Sequence, residues 1–101
     1  MRQHEYPIPD LLLESIPGYL ERKDQDALDL ESAVQRNDFS TIQTISHKLI
    51  GSGASYGFAN ISELGNLLQK TCASKDIQEA STLVQSLRQE LIQIRKSVLS
   101  H

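Results

Sequence analysis

The residue best suited to chemistry in this sequence is His47, which lies close to three glycines in a stretch that otherwise predicts a helix. The stretch runs from Ser46 to Gly57 and also contains Gly51 and Gly53. Glycine within a helix costs about 1 kcal/mol relative to alanine, so three of them indicate a compensating role in packing or in function.

The apolar residues of this helix indicate which way His47 points. Ile42, Ile45 and Leu49 recur at helical spacing and predict the buried face. His47 is two positions from Ile45 and from Leu49, about 200° around the helix, so its imidazole is expected to face solvent. Gly51 follows one turn later on the same face and leaves the imidazole accessible to another protein.

From the residues alone, two interpretations of His47 stay open. It is either an ordinary surface histidine beside glycines that allow close helix packing, or a nucleophile exposed for a partner. The other histidines, His4 and His101, have no partners at metal-ligand spacing, so we expect no metal site. Cys72 is expected to be a small buried apolar residue.

Helix signals dominate the elements that must position His47. We predict bundle helices at about residues 17–36, 39–58, 61–74 and 77–98, and a short N-terminal helix at about 9–16. Pro17 suits a first helical position, and Asp38, Asn60 and Asp76 are the predicted N-caps. The connections are short, so the sequence predicts one all-α domain, an antiparallel up-and-down four-helix bundle. The aspartates at positions 24, 26 and 29 are interpreted as charges on a solvated helix face.

Composition excludes several classes of protein. The net charge of −3 and the absence of a basic stripe argue against nucleic-acid binding. A single cysteine forms no intramolecular disulfide, and no apolar run is long enough to span a membrane. We therefore expect a cytoplasmic protein. With no obvious second apolar face, we also expect a monomer.

The segment His47-Lys-Leu-Ile-Gly51, with Gly57 further on, resembles the signature of the histidine phosphotransfer (HPt) domain family, His-x-x-Lys-Gly and a later glycine. The segment Gly53-Ala-Ser-Tyr-Gly-Phe58 is similar to the corresponding segment in a subgroup of short, free-standing members. The likeness extends from about Ile16 to Leu91, and it includes Ile16–Glu21, Asn37–Phe39, Ile61–Gly65 and Leu67–Gln69.

The resemblance implies a role for each matching residue. His47 matches the phosphorylated nucleophile, and Gln69 matches the polar residue that hydrogen-bonds the other imidazole nitrogen. That bond would leave Nε2 as the nucleophile. Gly51 matches the small residue over which a receiver domain approaches. The implied docking surface also contains Gln43, Ile50 and Ala54.

One position departs from the family signature. Ile50 stands where the family usually has a lysine beside the phosphoryl group. Lys48 and Lys70 are the candidates that could supply this charge instead. Ile50 is three residues from His47, so its side chain is expected at the surface, where it would contact the receiver.

The implied function is that of a phosphorelay intermediate. It would accept a phosphoryl group on His47 from a receiver-domain aspartate and pass it to another receiver, downstream of a hybrid sensor kinase. We expect no cofactor, because the divalent metal would come from the receiver. We also expect no ATP-dependent kinase activity, because the chain has no glycine-rich phosphate loop.

Two alternatives stay open. A bundle of the same fold could dock on a receiver without exchanging phosphate, and Ile50 favours this possibility. A hydrolytic or metal-dependent enzyme is the other, but the sequence contains neither paired carboxylates nor clusters of metal ligands.

Overall fold

Four α-helices make up residues 14–98, the part of the chain that the computed structural model describes. The helices are α1 (Ile16–Gln35), α2 (Phe39–Tyr56), α3 (Ala59–Ser74) and α4 (Ile77–Val98). No strand occurs within residues 14–98, and the predicted all-α fold class is confirmed. Most of the predicted N-terminal helix, at 9–13, lies outside the described residues, and residues 14–15 form a single 3₁₀ turn before α1.

Two of the three predicted N-caps are confirmed. The Asp38 carboxylate accepts hydrogen bonds from the backbone N–H of Thr41 at 3.1 Å and from its hydroxyl at 2.7 Å, and thereby begins α2. These bonds favour the ionised form, so they hold the pKa of Asp38 below its usual value. The Asp76 carboxylate likewise accepts from the backbone N–H of Glu79 at 3.1 Å and begins α4.

The third predicted N-cap, Asn60, was wrong. Helix α3 begins at Ala59, and its N-cap is Phe58, which makes no capping bond with its side chain. The Phe58 carbonyl accepts from the backbone N–H groups of Ile61 and Ser62 at 3.0 and 3.2 Å. Asn60 therefore lies inside the helix, where its amide donates to Glu90 on α4 at 3.2 Å.

The turn between α2 and α3 is tight because Gly57 adopts a left-handed conformation, with φ of 80°. Phe58 then donates its backbone N–H to the Gly53 carbonyl at 2.8 Å, and Gly57 donates to Ala54 at 3.3 Å. This arrangement satisfies carbonyls at the end of α2. As a result, two residues suffice to reverse the chain, and Tyr56 becomes the last residue of α2.

The helices pack as a ring in which each contacts its neighbours in sequence, and α4 closes the ring against α1. Turns of two or three residues join them, so consecutive helices run antiparallel. Burial of aliphatic side chains between them supplies the main driving force for folding. The largest fully buried side chains are Tyr19, Phe58, Ile16, Leu20, Leu30, Ile42, Leu49, Ile61, Leu68, Leu87, Leu91 and Ile94.

Helices α2 and α3 form the most extensive contact, and glycines on both helices allow it. A Cβ on Gly53 would lie 2.6 Å from the backbone nitrogen of Ser62, and a Cβ on Gly65 would lie 2.8 Å from the Ser46 carbonyl oxygen. The Ser62 hydroxyl donates to the Ile50 carbonyl across the same contact, at 3.0 Å. This contact fixes the position of α2, the helix that carries His47.

Within residues 14–98, no helix combines the length and the apolar character needed to cross a bilayer.

Candidate functional site

His47 lies on the outer face of α2 and is exposed, as the helical spacing predicted. It borders a surface depression of about 420 Å³ between α2 and α3. Lining residues come from three turns of α2 and from one position on α3. They are Ser40, Gln43, Thr44, His47, Lys48 and Gln69. The imidazole is therefore open to a macromolecular partner.

Gly51 follows His47 by one helical turn, and the space above it is empty. A Cβ placed on Gly51 would have no neighbouring atom within 4 Å. The bundle thus imposes no packing requirement for glycine at this position. What glycine does provide is access to the helix backbone beside His47.

The implied partner of the imidazole, Gln69, is half-buried and lines the same depression as His47. Within the described residues, the two side chains do not form a hydrogen bond with each other. Lys70, the next residue on α3, is exposed and does not line the depression. Gln69 thus shares the depression with His47, whereas Lys70 is an exposed residue outside its lining.

Lys48 is the one cation among the residues that line the depression around His47. Its ammonium group also forms an ion pair, with Nζ 3.4 Å from Oδ1 of Asp26 on α1. The Lys48 side chain is more than half exposed, whereas that of Asp26 is buried. Lys48 therefore has a fixed partner on one side and the site of His47 on the other.

Ile50 is only partly exposed, whereas the sequence predicted an exposed side chain. It is half-buried, and its Cγ1 would lie 2.8 Å from a Cβ on Gly65 of α3. Because Gly65 has no side chain, Ile50 fills the space over it. The residue that replaces the family's lysine thus packs between two helices.

The remaining predicted docking residues, Gln43 and Ala54, are both exposed on α2. The surface around them has an unusual charge distribution, because no acidic residue occurs from Phe39 to Ser62. Helix α1, in contrast, carries five acidic residues. The outer face of α2 is therefore free of negative charge along its whole length.

No cluster that could hold a metal ion occurs among residues 14–98. Cys72 is buried, as predicted, with its Sγ 3.5 Å from the Phe39 carbonyl oxygen. Burial raises the pKa of its thiol. Cys72 thus packs in the core like a small apolar residue.

Comparison with models of known families identifies the family of this chain. A model of the Hpt domain matches residues 11–97, nearly the whole chain, and the match includes α2 with His47 and α3 with Gln69. The chain belongs to the Hpt domain family. Searches of curated proteins and of solved structures found no match to it. Hpt domains are histidine phosphotransfer modules of phosphorelays, and they interact there with receiver domains and kinases.

Sequence reasoning missed two residues that line the depression around the histidine of this Hpt domain, and a third, Asp26, that pairs with Lys48. Ser40 and Thr44 line the depression, and their spacing of seven and three residues from His47 could have revealed them. Asp26 was interpreted as a solvated charge, but it is buried and ion-paired. Asp26 lies seven residues after Tyr19 and four before Leu30, so helical spacing could have placed it beside the buried face of α1.

Proposed function

We propose that this Hpt domain accepts a phosphoryl group on His47 from the aspartyl phosphate of a receiver domain and passes it to the aspartate of another receiver. A hybrid sensor kinase is proposed to start the relay. The observation that carries this proposal is the exposure of His47 beside the open space over Gly51.

The proposed reaction exchanges one bond to phosphorus for another. The Nε2 lone pair of His47 attacks the phosphorus of the acyl phosphate, and the receiver's carboxylate leaves with the electrons of the broken P–O bond. Gln69, which lines the same depression, is proposed to accept a hydrogen bond from Nδ1–H and so keep Nε2 unprotonated. Transfer to the second receiver reverses these steps.

Charge supports the choice of partner. Both the acyl phosphate and the aspartates of a receiver are anionic, and an acidic docking face would repel them. The outer face of α2 has no acidic residue, and Lys48 lies at its edge. We propose that Lys48 offsets the charge of the phosphoryl group, in place of the lysine that Ile50 replaces.

We place this relay in the cytoplasm and propose that the chain acts as a monomer. The divalent metal for transfer is assigned to the receiver. His47 borders a depression that a partner can reach, so phosphate exchange should depend on this residue. We propose that the Hpt domain itself contributes no metal site.

Phosphate labelling tests the proposal. The protein is mixed with a receiver that carries ³²P on its aspartate, and acid-labile, base-stable label on the Hpt domain is measured. His47→Gln should abolish labelling, because the nucleophilic nitrogen is lost, while the circular dichroism spectrum stays helical. His101→Gln serves as the matched control and should be labelled like the unchanged protein.

The alternative of docking without exchange has its own signature in the same experiment. A receiver that binds the Hpt domain but leaves no label on the unchanged protein would make the chain a docking module. Label that persists in His47→Gln would instead place the phosphoryl group on another residue.

A further inference from the structure

Asp26 is the feature of the bundle that the proposed function does not yet use. Among residues 14–98, Lys23 and Asp26 are the charged residues that are buried, with 5% and 7% of their surfaces exposed. Lys23 Nζ lies 2.7 Å from Asp26 Oδ2. A buried ion pair loses most of its attraction to the cost of desolvation, so stability alone is a weak explanation for it.

The two carboxylate oxygens of Asp26 serve different lysines. Oδ2 accepts from the buried Lys23 at 2.7 Å, whereas Oδ1 contacts the more exposed Lys48 at 3.4 Å. Lys48 also borders a second depression, of about 550 Å³ between α1 and α2, whose lining includes Asp26 and Asp29. Lys48 therefore separates the site of His47 from the buried carboxylate.

We propose that Asp26 is a positioning residue that competes with the phosphoryl group on His47 for the ammonium group of Lys48. This inference rests on the proposed function of His47. When His47 is unmodified, Lys48 stays with Asp26. When the phosphoryl group is present, its negative charge draws Lys48 across α2, and the competition from Asp26 lowers the stability of the phosphorylated state.

The geometry indicates that moving Lys48 from Asp26 to the phosphoryl group costs little free energy. Asp26 keeps Lys23 at the shorter distance, so its buried charge stays paired when Lys48 leaves. The Lys48 contact is the longer one, and its flexible, largely exposed side chain can reorient without disturbing the core. The effect of Asp26 on phosphorylated His47 thus passes through Lys48.

The phosphotransfer equilibrium with one receiver tests this inference. Asp26→Asn should raise the ratio of phosphorylated to unmodified His47 about threefold, as expected when an exposed lysine is released from a competing partner. Lys48→Met should lower the ratio by a similar factor. In Lys48→Met/Asp26→Asn the change at Asp26 should have no further effect, because the lysine that transmits it is gone.

Asp29→Asn is the matched control. Asp29 lines the same depression one turn further along α1, but its side chain accepts from Gln25 and forms no ion pair within the described residues. It should leave the ratio unchanged. Equal effects of Asp26→Asn and Asp29→Asn would mean that general electrostatics, and not the contact with Lys48, sets the equilibrium.

Other results would also overturn the inference. One is a ratio of phosphorylated to unmodified His47 that is unchanged or lowered in Asp26→Asn. Another is a ratio that rises as much when Asp26→Asn is added to Lys48→Met as when it is made alone. If Asp26→Asn leaves Lys23 unpaired and unfolds the protein, Lys23→Met/Asp26→Asn removes both buried charges and should still raise the ratio. Absence of label on the unchanged protein would instead contradict the function proposed for His47, and this result is distinguishable from the others.

Discussion

The two faces of α2 use glycine for opposite purposes. On the outer face, Gly51 has empty space where its side chain would be, next to the exposed His47. On the inner face, Gly53 is buried, and backbone atoms of Phe58 and Ser62 occupy the space that its Cβ would need. One glycine keeps a partner's path open, and the other lets two helices of the same chain meet.

The comparison shows why the glycines around His47 should not be taken as one signal. Three of them within a few turns predicted a role in packing or in function, but Gly57 has a third role, the left-handed turn that ends α2. Only Gly51 has no structural reason to be glycine. The functional argument from glycine therefore rests on that position alone.

The largest expected effect is on the inner face. Gly53→Ala would place a Cβ 2.6 Å from the backbone nitrogen of Ser62, and backbone atoms cannot move aside like a flexible side chain. We expect the free energy of unfolding to fall by about 1–3 kcal/mol, as is typical of overpacking. Thermal melting followed by circular dichroism measures the change.

Gly51→Ala is the control for that experiment, since its Cβ meets nothing within 4 Å. Alanine is the better helix former, so this variant should melt at the same temperature or slightly higher. Equal melting temperatures of Gly53→Ala and Gly51→Ala would contradict the different roles assigned to glycine on the inner and outer faces of α2.

A smaller effect is expected from a substitution on the outer face, and it should change the rate of phosphoryl transfer and not the stability of the fold. Gly51→Gln adds a long side chain one turn from His47, where it would obstruct an approaching receiver. We expect transfer from a phosphorylated receiver to slow by about tenfold, equivalent to about 1.4 kcal/mol, with no loss of thermal stability. Rapid-quench labelling measures the rate, and Gly51→Ala should transfer at nearly the normal rate. An unchanged rate in Gly51→Gln would mean that receivers approach over another face.

Much of the fold could be predicted because its signals are local. Apolar periodicity and the capping carboxylates of Asp38 and Asp76 lie within the segments they organise, so α2 and α4 begin at the predicted residues. The start of α3 was predicted two residues late. Asn60 carries a capping side chain, but the backbone turn at Gly57 and Phe58 had already begun the helix.

The site divides in the same way. The exposure of His47 and Gly51 follows from helical spacing on one helix, so it could be predicted. The contact of Asp26 with Lys48 could not, because the two residues are 22 positions apart and lie on different helices. The position of Ile50 depends on Gly65 of α3, which only the packed structure brings beside it.

The smallest expected effect concerns Ile50, where the two faces of α2 meet. Its side chain covers Gly65, so a substitution there affects both the helix contact and, three residues away, the phosphoryl group on His47. In Ile50→Lys, the aliphatic part of lysine can lie over Gly65 while the ammonium group reaches solvent near His47. We expect phosphorylated His47 at equilibrium with a receiver to rise about threefold, the size of an exposed ion pair.

Ile50→Met provides the matched control, because it has a similar unbranched chain without the charge. Both variants should melt slightly below the unchanged protein, since each loses part of the fit against Gly65, at a cost of less than about 1.5 kcal/mol for the methionine. Only the lysine variant should shift the phosphotransfer equilibrium. The affinity of a receiver for the unphosphorylated Hpt domain should stay the same in both variants, because Ile50 is half-buried against α3 and offers little surface to a receiver. Equal shifts of the equilibrium in the two variants would attribute the change to packing, and the missing lysine would then have no electrostatic role.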